Sequence, residues 1–430
     1  SLFTTQTFAE FVAVLGNDHM VEVPANCIPL LCDQITPEML PLVTLKQTEV
    51  NRIINHVPGG VRNIQDIYSL TPFQEGILFH HLMSADGDPY LLSSMLAFDT
   101  RERLNGFLDA LQAVINRHDI LRTAVIWESL SEPVQVVLRE VVLPVTEVTI
   151  DMALGDVAEQ LQDQFDPRRC RLDIRQAPLL HVYIAYDACQ KRWLSLILEH
   201  HLALDHVAME ALLKEVKAYL LGSFDQLPEP LPFRNFVIQA RNGMKPEEHE
   251  AFFRKLLGHV QEPTAPFGLL NVQGDGSNVQ EAVTDLDIGL VCSIRTCIRS
   301  LGVSAASLFH LAWARVLAQI SGNETVVFGT VLFGRTQSGD DADRMLGMFI
   351  NTLPICFNVD ETGVRASIKS MHKLLAEVLR HEHASLAIAQ RCSAVPAPIP
   401  LFSALLNYRH SSIETTATSP EGSLAWESLG

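Results

Sequence analysis

His200 and His201 close a short apolar run, Trp193 to Leu198, and Asp205 follows four residues after the second of them. An imidazole titrates near neutrality, so a positioned histidine supplies a neutral base where few other side chains do. The run before the pair has strand character. After it, Met209, Leu212, Leu213, Val216 and Leu220 recur close to the helical period, with Asp205 at the helix start. A strand end thus presents the base, and a helix start fixes a carboxylate beside it. Adjacent strand residues point to opposite faces, so one site sees only one of the two histidines. The plainer alternative is a pair of satisfied core histidines. A zinc reading of His201 and Asp205 lacks a third ligand at a usual spacing, and the following helix has no His-x-x-x-His pair.

A second pair opens the stretch His80-His-Leu-Met-Ser-Ala-Asp-Gly-Asp88. By itself it reads as a helix end and a turn. His81 is then a cation near the negative end of the helix dipole, and Asp86-Gly87 makes the bend.

The elements that must hold these residues alternate from Tyr68 onward. Helices are expected at 72–83, 102–117 and 154–164, and strands near 91–98, through 122–149, at 179–187 and at 193–198. A second series follows the proline-rich Pro228–Pro232, with helices at 247–258, 304–320 and 365–380 and strands at Thr325–Phe333 and 348–358. Mixed elements that each bury one face imply a layered α/β fold. No repeat recurs at a fixed period. Residues 17–63 combine five prolines (24, 29, 37, 41, 58) with a short helical pattern, Leu45 to Ile54, and read as an interdomain linker packed on its neighbour. Ser411–Gly430 shows no clear element.

At 430 residues the chain is long enough for two or three cores, since one usually serves about 100–200 residues. Its 32 basic and 50 acidic residues give a charge of −18, which argues against binding a phosphate backbone. No segment approaches the roughly 18 uninterrupted apolar residues of a membrane span, and no basic-then-apolar leader opens the chain. The eight cysteines (27, 32, 170, 189, 292, 297, 356, 392) form no CxxC pair. They read as single, mostly buried thiols of a cytoplasmic protein with no nucleic-acid or membrane partner.

Several segments, in order, resemble the condensation domains of nonribosomal peptide synthetases. His200-His-Leu-Ala-Leu-Asp205 resembles their HHxxxDG motif, with His206 where glycine is usual. Tyr68-Ser-Leu-Thr-Pro-Phe-Gln-Glu-Gly-Ile-Leu78 looks like the opening motif, and Arg117-His-Asp-Ile-Leu-Arg-Thr123 is similar to RHExLRTxF. Arg234-Asn-Phe236 fits a short motif between lobes, Leu346-Gly-Met-Phe-Ile-Asn-Thr352 matches GxFVNT, and Leu406-Asn-Tyr-Arg409 falls where a late motif is expected. His80 to Asp88 is similar to the HH[I/L]xxxxGD motif of the dual epimerisation/condensation subclass. Residues 1–16 resemble the last helix of a peptidyl carrier domain, with Phe3 as a core plug, Thr7 as a cap and Phe8, Phe11 and Val12 as its apolar face.

The resemblance implies two chloramphenicol-acetyltransferase-like lobes, 64–232 and 233–430, forming a V with a central tunnel and the histidine motif at its floor. The second lobe is expected to continue beyond residue 430. Carried over by position, His201 is the catalytic histidine, His200 its usually structural companion, and Asp205 the carboxylate that orients the loop through an arginine. Arg335, after the apolar strand and the Gly334 bend, is the candidate for that arginine, since a buried strand end calls for a paired charge. Gly347 and Asn351 would line the tunnel roof, where small side chains admit a ligand arm. His206 either starts an ordinary helix, which a capping Asp205 favours, or narrows the channel. His80, His81, Gly87 and Asp88 mark the subclass.

The implied reaction joins a donor peptidyl thioester to an acceptor aminoacyl thioester after epimerising the donor's last residue. His201 is the candidate base for both steps, and the group that stabilises the enolate is not identified. No cofactor or metal is expected on the chain itself. Phosphopantetheine arms arrive on upstream and downstream peptidyl carrier domains, an adenylation domain adjoins, and the chain is expected to be monomeric. A plain L-L condensation domain and an inactive docking module are the alternatives, and the intact His201, Asp205 and Arg335 speak against the second. A stand-alone epimerase fits less well, because the carrier-like tail precedes the domain. Heterocyclising relatives carry aspartates in place of the histidine pair.

Overall fold

The computed structural model describes residues 21–84, 87–151, 153, 155–270, 279–334, 344–409 and 426–429. The carrier-like segment 1–16 and Arg335 lie outside them. The described residues divide into two compact units, one within 22–239, 344–349 and 426–429, the other within 21, 240–334 and 350–409.

The first unit carries two sheets. In one, β1 (Ile64–Ser69) and β3 (Thr123–Ile126) flank β4 (Val134–Leu138), all antiparallel. The other has the order β11-β2-β7-β6-β5, formed by β2 (Leu91–Phe98), β5 (Val145–Glu147), β6 (Leu180–Asp187), β7 (Arg192–His200) and β11 (Glu427–Ser428). Its central strand β7 alternates as a pleat requires. Leu194, Leu196 and Leu198 join Leu91, Met95, Ala97, Val157 and Leu161 in one apolar layer, so Ser195, Ile197 and Glu199 face the other way.

The unit's helices are α1 (Gln47–His56), α2 (Pro72–Met83), α3 (Arg101–Arg117), α4 (Val157–Gln164) and α5 (His206–Leu220). α3 packs on α5 and on β2 and β7. α2 starts at a capping box: the Thr71 hydroxyl accepts from the Gln74 backbone, and the Gln74 side chain returns to the Thr71 N–H. Ile28, Ile35, Leu40 and Leu45, from the expected linker, share an apolar cluster with Ile64, Ile67, Val134 and Val136.

α6 (Arg234–Asn242) spans the division, and the second unit adds α7 (Pro246–Leu257), α8 (Ile288–Leu301), α9 (Ala305–Ser321), α10 (Val364–Arg380) and α11 (Leu386–Arg391). Its sheet pairs β8 (Thr325–Leu332) antiparallel with β9 (Asn351–Asn358) and parallel with β10 (Leu405–Leu406). Val326, Phe328, Leu353 and Ile355 pack with Leu311, Ala314, Met371 and Leu375 to make the core.

Three expectations change. β9 begins at Asn351, not 348, so Gly347 precedes the strand. Residues 344–349 and 426–429 group with the first unit, and β11 adds to β2 in a stretch where no element was expected. The thiols are all free, yet only Cys32, Cys356 and Cys392 are buried, while Cys27, Cys189 and Cys292 are exposed on loops and on α8. No single helix among the described residues is long and apolar enough to cross a membrane.

Candidate functional site

The β2/β7 ladder pairs Leu92 with Glu199 and Leu91 with His200. It runs one step further, because the His201 N–H donates to the Tyr90 carbonyl at 2.9 Å. A tight turn follows, and His201 Nδ1 lies 2.8 Å from the Leu204 carbonyl. A carbonyl only accepts, so Nδ1 carries a proton, and in the neutral tautomer the lone pair lies on Nε2. The ring is half-buried, and Nε2 has no hydrogen-bond partner among the described residues. That nitrogen is the basic end of the ring, presented at a strand end.

Asp205 caps α5. One carboxylate oxygen accepts from the Ala208 N–H at 2.8 Å and the other from the Phe349 N–H at 3.1 Å, while the Asp205 N–H reaches the Gly347 carbonyl at 3.3 Å. The residue therefore ties the helix start to segment 347–349. At Gly347 the space a Cβ would need is already filled, since it would fall 2.3 Å from the Phe233 ring. The glycine makes room for an aromatic cluster of Phe233, Phe236 and Phe349, not for a ligand arm. Asn351 likewise spends its amide on the Glu382 and Ala384 carbonyls, at 2.6 and 2.8 Å, within the second unit. His206 opens α5 as ordinary helix, exposed, with Nε2 3.1 Å from Glu210.

The two histidine pairs meet at Asp88. His81 Nδ1 donates to Asp88 Oδ2 at 2.5 Å, and His200 Nε2 donates to the same oxygen at 3.0 Å. Asp88 Oδ1 accepts from the Tyr90 N–H at 2.9 Å. His200 Nδ1 accepts from the Leu202 N–H, which fixes the His200 proton on Nε2. Burial would raise the Asp88 carboxyl, but the hydrogen bonds from His200 and His81 outweigh it and hold the group well below the usual carboxylate range. Burial pushes His200 downward, so a neutral imidazole donates to a buried anion. Gly87 is required beside it: its φ is +66°, and a Cβ would fall 2.1 Å from the Arg168 carbonyl. The helix-end cation expected of His81 is supplied instead by Arg171, whose guanidinium donates to the His81 and Ser84 carbonyls.

His81, Asp88 and His200 lie close enough to surround an ion. A histidine that ligates through Nε2 keeps its proton on Nδ1. At His200 that proton would face the Leu202 N–H, donor against donor, so the donor set suits a hydrogen-bonded anion rather than a metal.

Neither Tyr90 nor Glu199 stands out in the sequence. Glu199 sits between Leu92 and Leu180, and its Oε2 has no partner among the described residues. Burial pushes its carboxyl up to about 7. A raised folded pKa means the folded state holds the proton more tightly, so stability falls as pH rises from the unfolded value through about 7. Glu199→Gln removes that ionisation. It is expected to be more stable than the parent at pH 8 by up to about 3 kcal/mol, with little difference at pH 5. Urea unfolding at both pH values checks this, and an equal gap at each would contradict it.

Residues 64–426 match the model of the condensation domain family. The chain belongs to that family. This condensation domain is 47% identical over 411 residues to malpinin synthetase of Mortierella alpina, covering 96% of this chain and 5% of that protein. It is 48% identical over 419 residues to malpibaldin synthetase of the same organism, covering 97% of this chain and 8% of that protein. The chain therefore spans only a small part of these curated relatives. Among solved structures, holo-AB3403, a four-domain nonribosomal peptide synthetase bound to AMP and glycine, aligns with a TM-score of 0.66 over 81% of this chain and 27% of that one at 16% identity, which shows the shared α/β fold. Condensation domains are amide-forming transferases of nonribosomal peptide synthesis, and phosphopantetheine belongs to their carrier partners.

Proposed function

We propose that this domain joins the acyl group of a donor peptidyl thioester to the amine of an acceptor aminoacyl thioester, after epimerising the donor's last residue. Both substrates ride on phosphopantetheine arms of upstream and downstream carrier domains of one synthetase, next to an adenylation domain. The observation that carries the reading is His201, with Nδ1 occupied by the Leu204 carbonyl and Nε2 left as a base. A thioester is already activated, so holding the two ends at near-attack distance supplies most of the rate, about 7–11 kcal/mol in well-oriented systems. As the amine attacks the carbonyl carbon, His201 Nε2 accepts its proton, a contribution of roughly 10²–10⁴. The tetrahedral centre then collapses, the C–S bond breaks and the thiol leaves with a proton. A half-buried base whose Nε2 has no other duty among the described residues speaks for chemistry rather than docking alone.

Epimerisation is supported by the His80-to-Asp88 match and by its physical link to the catalytic strand end. Asp88 grips His200 on one side and the Tyr90 backbone on the other, and Tyr90 holds the His201 N–H. The test is an L-donor on its carrier, mixed in D₂O with domain and loaded acceptor. The expected product has a D-L bond and one deuterium at the donor α-carbon. An undeuterated L-L product reduces the function to plain condensation, and no product from loaded carriers overturns both activities.

A further inference from the structure

Inverting a carbon centre needs a proton removed from one face and a proton supplied to the other, and His201 accounts for one face only. A second group stands next to it. The β2/β7 register sets Leu91 opposite His200, and the His201 N–H to Tyr90 O bond of 2.9 Å continues the ladder, setting Tyr90 opposite His201. Directly opposed residues share a sheet face, with Cβ atoms about 4.5–5.5 Å apart. Tyr90 is held from behind by Asp88, which accepts from its N–H at 2.9 Å. Its hydroxyl lies 2.8 Å from His80 Nδ1, and the two rings stack with centroids 5.8 Å apart at 24°. Tyr90 is half-buried and His80 is exposed, so the pair runs from the strand end to solvent. Burial, then the Asp88 anion, raises the Tyr90 phenol, and burial lowers His80, so both are neutral in ordinary buffer. Two of the other polar groups nearby are committed elsewhere: His81 and His200 share the Asp88 carboxylate, with His200 on the opposite face of the sheet. Glu199, whose Oε2 has no partner among the described residues, lies two residues back along β7 between Leu92 and Leu180 and has no hydrogen-bonded route to solvent such as the Tyr90–His80 pair provides.

We propose that Tyr90, with His80 as its relay, is the second proton-carrying residue of the epimerisation. The assignment rests on the epimerising reading above. His201 Nε2 takes the α-proton, and the C–H electron pair passes into the thioester enolate. That pair then returns to the α-carbon and captures the Tyr90 hydroxyl proton on the opposite face. As solvent protonates His80 Nε2, His80 Nδ1 passes its proton to the phenolate, and His201 gives its proton to solvent. One proton leaves the donor and one enters it, with no change in oxidation state. The motif beginning at His80 thereby has two tasks: His81 and Asp88 brace the strand end, and His80 feeds Tyr90.

The experiment uses the domain with an L-donor loaded on its carrier, in D₂O without acceptor, followed by chiral and mass analysis of the donor. For the parent domain, D-donor is expected to carry deuterium from the first turnover onward, because its new proton comes from Tyr90 and not from the proton His201 removed. Tyr90→Phe is expected to keep exchanging the L-donor α-proton for deuterium through His201, while D-donor formation falls by about 10²-fold or more. That retained exchange also reports an intact fold. 3,5-Difluorotyrosine at position 90 keeps the shape with a more acidic phenol, and should move the alkaline limit of D-donor formation to lower pH. D-donor forming at the parental rate in Tyr90→Phe overturns the assignment. So does parental D-donor that retains its original α-proton, or a Tyr90→Phe domain of unchanged melting temperature that loses exchange as well. A parent domain that neither exchanges nor inverts the donor overturns the epimerising reading itself, and the Tyr90 assignment with it.

Discussion

His201→Ala is expected to slow peptide transfer between saturating loaded carriers by about 10²–10⁴-fold while leaving the fold in place. The asymmetry follows from the ring's two ends. One nitrogen makes a single hydrogen bond, to the Leu204 carbonyl, and the other makes none among the described residues. Truncation removes one neutral hydrogen bond, worth about 1 kcal/mol, from a half-buried position. The strand end keeps its backbone tie, since the His201 N–H still reaches Tyr90. His200→Ala should behave oppositely. That ring is fully buried with both nitrogens bonded, so its loss strands the Leu202 N–H and takes one donor away from the buried Asp88 carboxylate. A drop in melting temperature is expected there before any specific effect on transfer. Rates and melting temperatures of the two variants, measured side by side, check the contrast.

Asp88→Ala is expected to cost about 3–5 kcal/mol, since each buried donor left without its acceptor costs about 1–3 kcal/mol. Three donors lose their acceptor together: His81 Nδ1–H, His200 Nε2–H and the Tyr90 N–H. Asp88→Asn should recover less than half of the loss, because the carboxamide offers one acceptor oxygen and turns a new donor toward the ring N–H groups. The pH dependence has a definite sign. The Asp88 carboxyl lies below its ordinary value in the folded state, so its stabilisation is complete above the unfolded pKa, about 3.9, and is lost as pH falls toward the lower folded value. The deficit of Asp88→Ala should therefore be full at neutral pH and shrink in strong acid. Urea midpoints at pH 7 and pH 3 provide the test, and a deficit that grows in acid would contradict the bridge.

Elements marked by a cap and a period were legible from residue types. α2, with its Thr71–Gln74 box, spans Pro72–Met83 as its pattern indicates, and β2 spans Leu91–Phe98. α8 was missed because Ile288, Val291, Ile294, Thr296 and Ile298 are β-branched and favour strands by propensity. What makes it a helix is Asp287, which caps the Gly289 and Leu290 N–H groups, and Gly302, which ends it with a left-handed residue. The pleat argument rightly separates the faces of His200 and His201. It does not tell what each face meets. That depends on the β2/β7 register, which brings Asp88 to a histidine 112 positions away. Glu199 escaped notice because the apolar run ends at Leu198 in the sequence, whereas the strand continues through His200. Gly347 shows the same limit, since the residue filling its missing side chain, Phe233, lies far off in the chain.

The most direct test of the central claim is the intact mass of the acceptor carrier after a single turnover with loaded donor carrier. With the parent domain the acceptor carrier should gain the mass of the donor acyl group while the donor carrier returns to its free thiol, and with His201→Ala both masses should stay unchanged over the same interval. An equal mass gain with His201→Ala, or no gain with the parent domain when both carriers are fully loaded, would contradict the assignment of His201 as the residue on which peptide-bond formation turns.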